Sequence, residues 1–130
     1  MIRKILLTIV LSLSLSCFAF AAELNGTDLL QGCKSLIKAL ENDKLTQKDY
    51  DNIQFWSGYL AGFLDTMPVV GAIPYCLPED GLQNGQLAMV IHKYLNDNSE
   101  LIDKEPSALI LLALTKAFPC NKPGVEKTGK

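Results

Sequence analysis

The chain has 130 residues, of which 48% are hydrophobic and 20% charged, and its formal net charge is −2. One domain fits this length, and so small and negative a charge argues against a nucleic-acid binder, which normally carries a basic patch. A single histidine leaves little room for a histidine-based triad beside a metal site.

The first 21 residues read as a signal peptide. Arg3 and Lys4 give the positive start, Ile5 to Phe20 is an uncharged, largely apolar run, and Ala19-Phe20-Ala21 puts small residues where a signal peptidase reads, so cleavage is expected before Ala22. A membrane anchor is the competing reading, but the run is near the lower length limit for a span and no basic stop-transfer cluster follows it. A lipid anchor at Cys17 is weaker still, because Ser14 stands where leucine is wanted. Export places the protein in the periplasm, with no membrane contact after cleavage. Removing 21 of 130 residues leaves 109, with 10 basic and 14 acidic side chains and a net charge of −4. Such a domain buries roughly 65% of the surface its unfolded chain exposes, enough for a core without a metal. Cys33, Cys76 and Cys120 remain, which allows one disulfide in an oxidising compartment and one thiol left over.

Residues 22–120 predict an all-α fold, a small bundle of four to five helices. The first helix spans about Asp28 to Asn42. Leu29, Leu30, Cys33, Leu36, Ile37 and Leu40 make its apolar face, and Asn25 or Thr27 caps it. The second begins after Thr46, with Asp49 in capping-box position, and runs to about Met67. Its buried stripe is Ile53, Trp56, Leu60, Phe63, Leu64 and Met67. Gly58 and Gly62, four apart, each cost about 1 kcal/mol against alanine in a helix, a cost that a close helix crossing offsets. A membrane dimerisation motif is excluded by Asp49, Asp51 and Asp65 on the same helix.

From Pro68 to Gly85 the periodicity breaks at three prolines and three glycines. Val69, Val70, Ile73 and Tyr75 make this segment oddly apolar. Either they cap the core or they form an exposed binding loop. The third helix runs from about Gln83 to Asn96 on Leu87, Val90, Ile91, Tyr94 and Leu95. Pro106 opens the fourth, whose run ALILLAL from Ala108 is apolar all round and reads as the central buried helix. Residues 121–130 are polar, with proline and glycine, and read as a disordered tail. A short link makes the third and fourth helices antiparallel neighbours, so the residues before the one and after the other meet. This pairs Cys76 with Cys120, a bridge worth roughly 4 kcal/mol by loop closure. Cys33, on an apolar face, is the buried free thiol.

No chemistry-bearing constellation stands out. His92 sits on the shoulder of an amphipathic helix and reads as a solvated or partly packed side chain. No cysteine has a histidine or a second cysteine at motif spacing. Glu79-Asp80 reads as an acidic pair favoured at a helix start. No metal-ligand or phosphate-loop pattern occurs, so neither metal nor cofactor is expected.

Several short motifs occur in a fixed order. Gly58-Tyr59, Gly62 and Asp65 stand on one helix, followed by Cys76-x-Pro78 and Gly85-Gln86-Leu87. Then come Tyr94-Leu95, Pro106 with Ala108, Ala113-Leu114 and Phe118-Pro119-Cys120. In order and spacing the chain resembles the Rap/Tai family of periplasmic immunity proteins, which neutralise type VI secretion amidase effectors that cut peptidoglycan. It departs in having Trp56 and Ser57 where many members carry a cysteine before the Gly-Tyr, which supports Cys33 as the unpaired thiol. The resemblance implies a binder rather than an enzyme, one that blocks the effector's cleft sterically, with the cognate amidase as partner and a homodimer as a possible state. A net charge of −4 would steer it toward a basic effector. The contact is placed on the apolar loop, through Val69, Val70, Ile73 and Tyr75, and on the polar corner Asn96, Asp97, Asn98 and Asp103. The alternative, of another class, is a periplasmic acid-stress chaperone or structural protein.

Overall fold

The computed structural model describes residues 23–68 and 73–120. The signal peptide and the C-terminal tail expected from the sequence therefore lie outside the described residues. So do Val69 and Val70.

Four helices build the fold: α1 (Gly26–Leu40), α2 (Gln47–Thr66), α3 (Asn84–Asp97) and α4 (Pro106–Ala117), with one 3₁₀ turn at Ser99–Leu101 between the last two. Among the described residues the only β pairing is an isolated antiparallel bridge between Tyr75 and Pro119. No helix among them is long and apolar enough to cross a membrane. The all-α bundle with a Cys76–Cys120 disulfide is the expected architecture, the two Cα atoms lying 5.0 Å apart.

Local chemistry sets the helix starts. Asn25 Oδ1 accepts from the Thr27 N–H at 2.8 Å, and Asp28 reaches back to the Asn25 N–H at 3.1 Å. This reciprocal cap satisfies donors that a helix leaves open at its N-terminus, so α1 begins two residues earlier than its apolar period suggests. Beyond its C-terminus, Asn42 takes the left-handed conformation (φ 58°), which asparagine tolerates best after glycine. Thr46 and Asp49 form the expected box at the start of α2.

Three contacts show how the helices lie. Gly32 of α1 faces the Trp56 indole of α2, Gly26 faces Ile102 and Leu109, and Gly85 of α3 faces Leu40. α1 and α2 are thus antiparallel, and so are α1 and α3. α1 and α3 form the central pair, with α2 on the far side of α1 and α4 packed chiefly on α3. Leu29, Leu60, Leu87, Ile91, Leu95, Leu109, Ile110 and Leu114 are fully buried between them. Each such side chain contributes on the order of 1.5–3 kcal/mol of transfer free energy.

Two expectations change. The fourth helix is not central, since Leu112 is 43% exposed and only Leu109, Ile110, Ala113 and Leu114 of its apolar run are buried. An all-apolar run carries no direction of its own, so its neighbours choose the buried side. Gly58 and Gly62 make no helix crossing either. Both are exposed, and a Cβ built on either would meet nothing within 4 Å. Of the stripe expected on α2, only Trp56 and Leu60 are fully buried. Ile53, Phe63, Leu64 and Met67 are half-buried, because α2 is an outer helix covered on one side.

Candidate partner-binding face

The apolar loop divides at Tyr75. Tyr75 is 4% exposed and belongs to the core, and burial pushes its phenol pKa up. It therefore takes the core-capping role and does not present its side chain to a partner. Next to it, the Cys76 N–H donates to the Phe118 carbonyl at 2.8 Å. With the Tyr75–Pro119 bridge and the disulfide, this ties the loop to the end of α4. Ile73, two residues earlier, is 41% exposed.

The polar corner is split in role. Asn96, Asp97 and Asp103 are exposed, whereas Asn98 is half-buried and donates from Nδ2 to the Tyr94 carbonyl at 2.8 Å, closing the end of α3. Asn96 Nδ2 lies 3.2 Å from His92 Nδ1, which accounts for the histidine as a half-buried surface group. Asp97 pairs with Lys93 at 2.9 Å. Glu79 and Asp80 sit in a turn closed by the Gly81 N–H on the Pro78 carbonyl, with Gly81 at φ 71°, and so precede the α3 start rather than occupy it.

Asp103 precedes α4 and Ile73 lies by its C-terminal end, so the two expected contact segments flank opposite ends of a helix of 12 residues, roughly 18 Å long. A groove that sequence reasoning missed lies between α3 and α4, lined by Val90, Lys93, Tyr94 and Asp97 of α3 and by Ala113, Lys116 and Ala117 of α4, with a volume of about 190 Å³. Lys116 Nζ stands 5.5 Å from the centre of the Tyr94 ring. The sequence offered Lys116 only as a favourable charge at a helix C-terminus. Tyr94 and Ala113 are distant in the chain, and only packing brings them together. Asp97 belongs both to the corner and to the groove, so these two adjoin on the surface.

A second surface lies on α2. Tyr50 and Phe55 are 52% and 49% exposed, and Gly58, Ala61 and Gly62 continue their side of the helix. Phe55 meets Trp56 edge-on at 5.1 Å between ring centres.

Two further perturbed groups of the interior serve packing, as Tyr75 does. Asp49 accepts from the Thr46 N–H (2.9 Å), the Thr46 hydroxyl (2.7 Å), the Ser35 hydroxyl (2.9 Å) and Lys38 Nζ (3.2 Å). These bonds, the Thr46 backbone bond first, outweigh burial and hold its carboxyl well below the usual range. A carboxylate so saturated neither gives nor takes a proton near neutral pH. It joins α1 to α2. The Cys33 thiol is pushed up to about 12 by burial alone, so at neutral pH it is a protonated, unreactive core group. Among the described residues no cluster of histidine, cysteine, aspartate or glutamate is arranged to hold a metal ion.

A disulfide-closed helical bundle whose titratable interior groups are locked into packing, and whose remaining features lie on its surface, has the makeup of a small binding protein. The sequence profile of the Rap1a immunity proteins matches residues 25–120, and the chain belongs to that family. Immunity proteins are generally non-enzymatic and imply a cognate effector as partner. No curated protein and no solved structure matches the chain.

Proposed function

We propose that this is a periplasmic immunity protein that binds and sterically blocks a peptidoglycan-cleaving amidase effector of a type VI secretion system. The observation that carries the reading is the family match, which spans every helix of the bundle and the disulfide. The amidase and its delivery route are supported by the resemblance of the motifs between Gly58 and Cys120 to the Rap/Tai pattern. The periplasmic assignment is supported by the amino-terminal segment Met1–Ala21 and by a disulfide, which persists where glutathione does not reduce it.

In this reading the α3–α4 face covers the effector's substrate cleft. Asn96, Asp97 and Asp103 supply a polar rim, and Ile73 supplies an apolar contact at the other end. The chain after cleavage carries a net charge of −4, which speeds encounter with a basic effector. Two copies pair through the exposed side of α2, where Gly58 and Gly62 let a second helix backbone approach.

The test is protection. An amidase effector exported to the periplasm lyses the cells that make it. Co-expression of the full chain should restore growth, and the same chain begun at Ala22 without a leader should not. Lysis undiminished by the full chain, with the protein present in the periplasm, overturns the proposal.

A further inference from the structure

The groove between α3 and α4 is too small for an ordinary small-molecule site. Its volume is about 190 Å³, whereas ligand pockets run from about 300 to 1,000 Å³. It is the size of one bulky side chain. Its floor is apolar because α4 presents two alanines, Ala113 and Ala117, one turn apart on the side facing Val90 and Tyr94. Among the described residues, no larger side chain fills the space above them.

The rim is positive. Lys116 stands over the Tyr94 ring, and no salt bridge among the described residues involves it. Lys93 pairs only with Asp97, and both side chains are largely in water (78% and 50% exposed), so that pair is weak and easily shared. Two lysines against the one carboxylate of Asp97 leave the opening with a net positive charge on a chain whose net charge is negative. A carboxylate is drawn to such a spot. Outside the lysines, Met89 and Leu112 are 48% and 43% exposed, each one turn before a lysine on its own helix. A second copy of this chain is a poor occupant. A two-fold pairing through the groove would set its lysines against each other.

We propose that the groove receives a bulky apolar side chain of the effector with a carboxylate beside it. The apolar group lies over Ala113 and Ala117, and the carboxylate meets Lys116 and Lys93. The proposal rests on the immunity reading and adds the chemistry of the partner's contact. Anchors of this kind, one side chain in a dry pocket with a charged neighbour, carry most of the energy of an interface.

The test uses a purified amidase effector as probe and calorimetric titration of the whole protein. Ala117→Trp fills the groove, and Lys116→Glu reverses its charge. Both positions are exposed, so both variants should fold, as thermal melting followed by circular dichroism verifies. Each should weaken binding by at least about tenfold. The loss caused by Lys116→Glu should shrink as salt rises from about 0.05 to 0.5 M. Lys34→Glu, on an exposed part of α1, should leave the affinity unchanged. Binding by the original chain with undiminished affinity in both groove variants overturns the groove assignment and leaves the immunity reading standing. If the original chain itself does not bind, both fall.

Discussion

At the residue scale, the carboxylate of Asp49 shows how far a local pattern reaches. Thr46 and Asp49 are three apart, and that spacing alone announces a capped helix start. The same carboxylate also takes hydrogen bonds from Ser35 and Lys38, 14 and 11 residues away. Those partners were not legible, because nothing local says that α1 and α2 are antiparallel at that register. The consequence is a dependence on pH. The folded-state pKa is lowered, so its stabilising contribution is fully present above the ordinary aspartate value of about 3.9 and is lost as pH falls below it. Asp49→Asn should lower the urea midpoint at pH 7, and the gap from the original chain should narrow steadily below about pH 4. An equal gap at pH 7 and pH 3 would contradict the role given to the ionised carboxylate.

At the scale of the helices, capping and apolar period located all four, with ends displaced by one or two residues. Orientation was harder to read. The spacing of Gly58 and Gly62 is that of a close crossing, yet both glycines are open, and the crossing is made by Gly32 against Trp56. Glycines on either side of a helix look alike in a sequence, since only the partner distinguishes them. The difference is measurable. Gly58→Ala and Gly62→Ala should each stabilise the monomer by about 0.5–1 kcal/mol, because alanine loses less conformational freedom and meets no neighbour. Gly32→Ala should destabilise it by about 1–3 kcal/mol by overpacking the indole. Urea unfolding at a concentration too low for self-association checks all three. Destabilisation by either of the first two would mean that their surroundings are filled. The run ALILLAL taught a similar lesson: it announced a helix but not which side would be covered, and Leu112 is on the open side.

For the whole molecule, the disulfide links the loop before α3 to the end of α4 across 44 residues. Its position was legible because the two cysteines flank helices of similar length joined by a short link. Removing it as Cys76→Ala with Cys120→Ala should cost about 4 kcal/mol by loop closure, read from urea midpoints under oxidising conditions. A loss below about 1 kcal/mol would show that the four-helix core holds the loop unaided. The proposed binding face was the least legible part, since Val90, Tyr94, Ala113 and Lys116 read separately as core, core, core and helix-end charge. That face is where the molecule's work is placed, and inhibition is its direct measure. Peptidoglycan hydrolysis by a purified amidase effector, titrated with this protein, should fall in proportion to the amount added and vanish near one equivalent. Hydrolysis that continues undiminished at a large excess would contradict the account.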